Sequence, residues 1–422
     1  MYIDPKLFIS PPYIECPSCG QHSFGILQIY ETHYTRRCKE CFFPRTTPYG
    51  KDRVASFRLP KLNKKIIYID QFAISNMMKA VSPKNEFSRT LDKFWAGLFY
   101  KLHKLCRLQL IICPESPFHQ YESILSSFYE PLKKMYKSLS SGIIFHETDD
   151  IKALQIYEHA RNWIREKEDE KIKLDVQSII KGKINGWTSK FIIIGNFPVE
   201  QRWVDELRAL RGESTEELKK VFQRWQTEKH KTFSEWFEEE AMSYGRIVLR
   251  LYYEKRFNLL QVKLGVIEPT IFNLMPSSSQ MIVEAIYSAF ENQGVESNKL
   301  KDKTVDYLKS PSLKNVPFIK INSMLWAALA RKAATGRKKP PNQGMANDIS
   351  LVSMFLPYCD AMFIDNECRG YLLEEPLFSE LDFGTKLFSQ NNKSEFIEYL
   401  DDIKSSASEE HLDKVKEVYG NI

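Results

Sequence analysis

The chain has 422 residues, of which 43% are apolar and 13% aromatic, so it can bury a large core and wholesale disorder is excluded. Its formal net charge of +6 lies within residues 1–65, which hold eleven Lys and Arg against five Asp and Glu, whereas residues 66–422 hold 49 of each. Apolar runs fall far short of the roughly 18 residues of a membrane span, and the start of the chain lacks a leader pattern, so we expect a cytoplasmic protein of two or three domains that does not bind membranes.

Two pairs of cysteines stand near the start of the chain with the spacing C-x2-C-x18-C-x2-C. Two residues between thiolates allow one tight turn to present both sulfurs to the same ion, and two such turns complete a tetrahedron. Residues between the pairs alternate as in a β-hairpin, which predicts a zinc ribbon whose closed shell is structural rather than catalytic. Two disulfides are the alternative, but they require an oxidising compartment. The predicted zinc ligands are Cys16, Cys19, Cys38 and Cys41.

The ribbon and the proline-bearing linker that we expect over residues 42–65 make up a small basic module. A surplus of Lys and Arg is typical of surfaces that contact phosphate, although solubility alone also explains so modest a surplus. Arg36 and Arg37 directly precede the third zinc ligand, so we regard them as candidate nucleic-acid contacts.

Short apolar strands alternate with helical patterns beyond the linker, which predicts an α/β fold with a parallel sheet. Residues 64–70, 108–115 and 360–365 each match a buried strand that ends in an acid, and residues 142–146 match a further strand. The predicted helices that flank these strands cover about 71–80, 87–108, 117–139, 323–334 and 344–356.

The middle of the chain consists mostly of amphipathic helical patterns, which predicts a large helical insertion that could bind a protein partner or support an oligomer. Within it, the pattern leaves Phe191–Ile194 open as either a strand or a buried helical turn. We expect four parts: ribbon and linker at 1–60, the first part of the α/β domain at 61–147, the insertion at 148–317, and the second part with C-terminal helices at 318–422.

Asp70, Glu115 and Asp365 each directly follow a predicted strand. A single acid at this place is most often a helix N-cap, but the carboxyl ends of parallel strands meet at one edge of a sheet, where ligands bind. Helices at the same edge add Glu122 and Asp348. Because crowded carboxylates repel one another and are tolerated when a divalent ion neutralises them, the cluster predicts a Mg²⁺ or Mn²⁺ site suited to phosphodiester hydrolysis.

The order and spacing of these acids resemble those of the PIN-domain nucleases, over roughly residues 66–145 and 318–385. The positions that match are Asp70, Ser116, Glu122, Asp348 and Asp365, with Asp360 as an extra acid nearby. The resemblance implies a PIN-like three-layer α/β/α fold around a central parallel sheet. It also implies that four of the acids, all but Asp360, hold one or two Mg²⁺ or Mn²⁺ ions. Cleavage would then leave a 3′-hydroxyl and a 5′-phosphate.

The chain departs from the family pattern at Phe72 and Phe363, where an Asn and a Thr or Ser often stand. These departures leave the groups that position water unassigned and allow a degenerate site. Glu115 could replace or supplement Glu122 as the second acid. His119 lies on the same helix face as Glu122, but a structural histidine is a better interpretation than a metal ligand or proton donor.

Five cations without an intervening acid lie shortly before Asp348 and could hold a nucleic-acid backbone. A solvated loop explains the run equally well. The candidate residues are Arg331, Lys332, Arg337, Lys338 and Lys339.

The leading hypothesis is a metal-dependent endoribonuclease whose ribbon helps to hold RNA. Only the family resemblance favours RNA over DNA, and it also suggests a toxin or antiviral-defence role. The first alternative is a non-catalytic adaptor that binds nucleic acid or protein through a PIN-like body without activity. The second is a DNA nuclease that acts on flaps or nicks.

Overall fold

A computed structural model describes residues 5–29, 33–48, 61–82, 93–124, 126–172, 174–188, 215–268 and 275–420. Within these ranges, the helices include none that has both the length and the apolar character to cross a membrane. The predicted segment Phe191–Ile194 and the beginning of the helix predicted from residue 87 lie outside the described residues.

The N-terminal module is a four-stranded antiparallel sheet in the order β1-β2-β3-β4. The predicted hairpin is confirmed as β2 and β3, and Pro44–Pro48, which we assigned to the linker, instead forms the edge strand β4. Proline is tolerated there because an edge strand need not donate every backbone N–H. The strands are β1 Ser10–Ile14, β2 Phe24–Ile29, β3 His33–Cys38 and β4 Pro44–Pro48.

A second sheet of four parallel strands has the order β10-β9-β5-β6. The chain places β6 on one side of β5 and then crosses to β9 on the other side, so the strand order reverses between β5 and β9. In open α/β sheets, ligands bind at such a reversal, beyond the carboxyl ends of the strands. The strands are β5 Lys65–Ile69, β6 Ile111–Ile112, β9 Ala361–Phe363 and β10 Lys386–Phe388.

Helices cover both faces of this sheet, since successive residues of β5 enter different cores. Ile66 and Tyr68 belong to one apolar cluster, and Ile67 and Ile69 belong to the other. The arrangement is therefore three layers. Helices that follow the first strands are α1 Gln71–Val81, α2 Lys93–Arg107, α3 Pro117–Ile124 and α4 Tyr129–Ser140.

The sequence predicted one helix over residues 117–139, but the structure has two, α3 and α4, with a turn at residues 126–128 between them. The strand predicted at residues 142–146 is reduced to β7 (Ile144–Phe145), which pairs antiparallel with β8 (Ile180–Lys181). The turn is held by local hydrogen bonds, such as that from Phe128 N to Ser126 Oγ at 3.1 Å, whereas β7 depends on a partner strand distant in sequence, which periodicity cannot detect.

The described residues of the middle of the chain are mostly helical, as predicted, and residues 215–227 form α6. Apolar side chains of this helical region, such as Trp225 and Trp236, belong to the same apolar cluster as Tyr68 of the parallel sheet. The helices are α5 Thr148–Trp163, α7 Phe233–Lys263, α8 Ser278–Glu291 and α9 Leu300–Leu308. The helices of the last part are α10 Pro317–Ala334, α11 Gln343–Phe355, α12 Asn366–Leu372, α13 Leu377–Glu380, α14 Lys393–Ser405 and α15 Glu409–Tyr419.

Candidate functional site

The four ribbon cysteines come together at one end of the small sheet. All four Sγ atoms lie within 4.8 Å of one another, and the pairs Cys16–Cys41 and Cys19–Cys38 are each 3.6 Å apart. Such a set of four thiolates suits a tetrahedral Zn²⁺ with Zn–S bonds of about 2.3 Å. The cluster therefore has the composition and geometry of a structural zinc site.

Backbone N–H groups donate to two of the four sulfurs and favour the thiolate form of Cys38. The backbone N–H of Ser18 donates to Cys16 Sγ at 3.4 Å, and that of Glu40 donates to Cys38 Sγ at 3.3 Å. Burial opposes ionisation of Cys38, but Ser23 and nearby backbone N–H groups outweigh it and lower the pKa of this thiol to about 6. A metal ligand must be deprotonated, so these contacts favour metal binding.

At the reversal point of the parallel sheet, Asp70 follows β5 and Asp365 follows β9. The backbone N–H of Asp70 donates to Phe363 O at 3.0 Å, which fixes these two strand ends side by side. Asp365 accepts a hydrogen bond from Glu367 N at 2.7 Å and thus also caps α12. Asp70 occupies the N-cap position of α1, but its side chain makes no capping hydrogen bond.

Two of the acids hold their protons unusually strongly. Burial, together with the charges of Glu122 and Asp365, raises the pKa of Asp70 to about 7. Burial and the charge of Asp70, followed by those of Asp365 and Glu122, raise the pKa of Asp348 to about 8. The four acids therefore form one electrostatically coupled cluster, which is the state expected when carboxylates share a buried site.

The acid cluster is more open than the cysteine cluster. Within the described ranges, the four cysteines are the only group of three or more His, Cys, Asp or Glu side chains whose possible ligand atoms all lie within 4.8 Å of one another. Ligation of one Mg²⁺ requires Mg–O distances of about 2.1 Å, so the acids would have to approach each other to hold one ion. Glu122 already has a neighbour on α11, because Asn347 Nδ2 donates to its Oε1 at 3.0 Å.

An ion pair engages Glu115 and keeps it from joining the acid cluster. Its Oε2 lies 2.8 Å from Lys137 Nζ, with both side chains largely buried. Glu122, by contrast, contributes to the raised pKa values of both Asp70 and Asp348. The structure therefore places Glu122 in the cluster and gives Glu115 a structural partner.

Asp360 is not an extra acid near Asp365, and the structure corrects that prediction. It precedes β9 and accepts hydrogen bonds from Lys65 Nζ at 2.7 Å and from Ile66 N at 2.8 Å, at the beginning of β5. Because β5 and β9 are parallel, Asp360 lies at the amino edge of the sheet. Five residues of strand place it about 16 Å from the acid cluster.

His119 is buried between two aromatic rings, with centroids 5.0 Å from Tyr68 and 4.7 Å from Tyr136. Its Nδ1 accepts from Ser116 N at 3.1 Å, so Nε2 carries the proton and donates to Ile69 O at 2.8 Å. Burial lowers the pKa of His119 to about 4. Both ring nitrogens are used, which agrees with a structural histidine.

Most of the basic run is already paired within the protein. Glu374 lies 2.6 Å from Lys332 Nζ and 3.6 Å from Arg331, and Arg337 contacts Glu367 and donates to Tyr371 Oη at 2.8 Å. Among the five cations, Lys338 and Lys339 are the exposed ones for which the described structure shows no ion pair.

Glu367 and Tyr371 link the basic run to the acids, because the charge of Glu367 also raises the pKa of Asp348. We did not single out either residue from the sequence. The position of Glu367 two residues after Asp365, in the first helical turn, was the available signal.

The two arginines of the ribbon serve its folding. Arg36 is only 3% exposed and donates to the backbone oxygens of Pro12 at 2.9 Å and Phe24 at 3.0 Å, so the structure corrects its assignment as a nucleic-acid contact. Arg37 donates to Phe42 O at 3.1 Å. It is partly exposed, and its role in binding stays a prediction.

Comparisons of the chain with protein-family models, with curated proteins and with solved structures found no match. The functional assignment therefore rests on the chemistry and placement of the residues described above.

Proposed function

We propose that this protein is a metal-dependent endoribonuclease whose active site is the cluster of Asp70, Glu122, Asp348 and Asp365. The observation that carries the proposal is a group of coupled carboxylates, one buried and three partly buried, at the reversal point of a parallel sheet, with the pKa values of two of them raised to about 7 and about 8. Folding rarely gathers buried like charges unless a ligand compensates for their repulsion.

The oxygen-only ligand set fits Mg²⁺ or Mn²⁺. When bound, such an ion would supply a water of lowered pKa and a positive charge beside the phosphoryl oxygens. The four carboxylates would hold it, and Asn347 would orient Glu122 through their hydrogen bond of 3.0 Å. The exposed Lys338 and Lys339 would hold the substrate backbone beside the cluster, and Arg337, paired with Glu367 and Tyr371, would anchor the run that carries them.

The zinc ribbon takes no part in the chemistry under this proposal, because a closed shell of four thiolates has no open position. It would stabilise the N-terminal module, which we propose helps to hold RNA. The choice of RNA and a toxin or antiviral-defence role rest on the likeness to PIN-domain nucleases noted in the sequence.

A non-catalytic adaptor is the second candidate, and the two departures from the PIN pattern favour it. Phe72 and Phe363 have ring centroids 6.0 Å apart, and Phe363 also packs against Phe396 at 5.0 Å. Both positions that often carry polar groups thus contribute to an apolar core. An adaptor would bind nucleic acid or a protein partner, for example through the helical insertion, without cleaving it.

The deciding experiment incubates the protein with end-labelled single-stranded RNA and with single-stranded, nicked and flapped DNA, each with added Mg²⁺, Mn²⁺ or neither. We expect RNA cleavage that requires the added ion and disappears in Asp348→Asn. Binding without cleavage under every condition would favour the adaptor, and cleavage confined to nicked or flapped DNA would favour the DNA nuclease.

A further inference from the structure

A cavity of about 430 Å³ is lined partly by the two helices that carry Glu122 and Asp348, but by none of the four acids of the cluster. Its volume falls in the range of roughly 300–1,000 Å³ that is typical of small-ligand pockets. Five helices line it, among them α7 and α10, so the helical insertion and the α/β body form it together. Its lining includes Phe118, Tyr121, Glu240, Tyr244, Phe318 and Asn322.

The cavity is joined to the acid cluster through α3 and α11. Tyr121 lines the cavity and directly precedes Glu122 on α3. On α11, Ser350 lines the cavity one turn after Asn347, which donates to Glu122. Three residues of helix correspond to about 4.5 Å, so a group in the cavity would lie next to a strand bound at the acids.

Aromatic rings form the walls of the cavity. Tyr244 and Phe318 meet edge to face with centroids 5.2 Å apart, and Phe118 is held by Phe355 at 5.9 Å. Tyr121 stands at the rim and is 52% exposed. An unpaired base stacks on such rings irrespective of its identity.

The lining has several polar side chains, among them Thr148, Lys152 and three serines, and two others bear on base selectivity. Glu240 and Asn322 line the cavity, and the hydrogen bonds and ion pairs of the described residues include none made by either side chain. Glu240 is partly buried. A carboxylate presents two acceptors, whereas an amide presents donors and an acceptor.

Guanine is the base that matches this pair. Its Watson–Crick edge carries two adjacent donors, N1–H and the N2 amino group, which a carboxylate accepts together, and the neighbouring O6 accepts from an amide. Adenine and the pyrimidines do not present two adjacent donors. We propose that the cavity binds a guanine base of single-stranded RNA next to the phosphate that is cleaved. The inference rests on the proposed function for the identity of the substrate, but the cavity can be tested by itself.

The test measures binding of guanosine, inosine and adenosine 5′-monophosphates by isothermal titration calorimetry. None of these compounds has a diester to cleave. We expect guanosine monophosphate to bind about 10-fold more tightly than adenosine monophosphate, with the inosine compound between them because it lacks the N2 amino group. Glu240→Gln should abolish the preference, whereas Glu284→Gln, on the exposed surface of α8, should leave it unchanged.

Tyr121→Ala provides a second variant that changes an exposed side chain and should fold normally. It should weaken binding of all three nucleotides by a similar factor of about 5–150, because stacking does not distinguish bases. Equal affinity for guanosine and adenosine compounds, no binding of any of them, or a preference that survives Glu240→Gln would overturn the inference. A guanine preference in a protein that cleaves no RNA would instead overturn the proposed function and leave this site standing.

Discussion

Asp348 and Asp70 should make the stability of the protein fall as the pH rises when no divalent ion is added. Their folded-state pKa values of about 8 and about 7 exceed the ordinary value for aspartate of about 3.9, so the folded state binds their protons more tightly than the unfolded state does. Their stabilising contribution is therefore complete below about pH 4 and is lost as the pH rises through about 7 to 8.

Asp348→Asn should make the free energy of unfolding depend less on pH, since asparagine does not ionise. The same variant should also abolish cleavage. Urea unfolding at several values between about pH 5 and about pH 8 measures the slope for both proteins. Loss of zinc at low pH would affect the wild-type protein and the variant alike, so the difference between their slopes reports on Asp348. Parallel slopes would mean that Asp348 is an ordinary exposed acid.

Glu115→Gln should destabilise the protein rather than inactivate it. It would leave the largely buried Lys137 without its carboxylate, and an unsatisfied buried charge costs about 1–3 kcal/mol or more. The double variant Glu115→Gln, Lys137→Met should recover most of the loss. Glu122→Gln, by contrast, should remove cleavage at nearly unchanged stability. The expectation fails if Glu115→Gln abolishes cleavage at unchanged unfolding free energy.

The ribbon should depend on zinc, whereas the body should not. Cys38→Ser removes one of four ligands, so the protein should lose its zinc, expected at about one ion per chain, and the small sheet should unfold. Cys368→Ser changes a buried cysteine outside the ribbon and should keep the metal. Elemental analysis and hydrogen exchange of residues 10–48 check this. Purified wild-type protein without zinc would refute the assignment.

The basic run should contribute to binding mainly through its two exposed lysines. Since Arg331, Lys332 and Arg337 are paired internally, the double variant Lys338→Ala, Lys339→Ala should make the slope of log affinity against log salt shallower by about 1.4 for single-stranded RNA. Lys301→Ala, Lys303→Ala on α9 is the matched control. Fluorescence anisotropy over a salt series measures both, and an unchanged slope would identify the run as solvated surface.

The strands that end in Asp70 and Asp365, and the cysteine spacing, could be predicted because each is a local pattern with one dominant cause. The placement of Glu115, Asp360 and Arg36 could not. Each of these side chains is paired by a group outside its own element, such as Lys137 or the backbone of Phe24, and no local pattern records that partner. The acids at the strand ends therefore located the edge of the sheet better than they located each residue of the site.

At the scale of the whole molecule, the helical insertion and the α/β body share one apolar core. Trp225 and Trp236 of the insertion belong to the same cluster as Tyr68 of β5, so the two parts should unfold together. Gly245 of α7 is a point of very close contact between the insertion helices. A Cβ atom there would lie 1.8 Å from the backbone oxygen of Leu308, which cannot move without displacing the end of α9.

Gly245→Ala should therefore destabilise the whole protein by about 1–3 kcal/mol, the usual cost of overpacking, despite the higher helix propensity of alanine. Gly97→Ala on α2 is the matched control: a Cβ there has no atom within 4 Å, so this change should stabilise by about 0.5–1 kcal/mol. Urea unfolding followed by tryptophan fluorescence and by hydrogen exchange of β5 should give coincident transitions in both variants. If Gly245→Ala lowered only the fluorescence transition, the insertion would be an independent domain, and a cavity built by both parts could not be a rigid base-binding site.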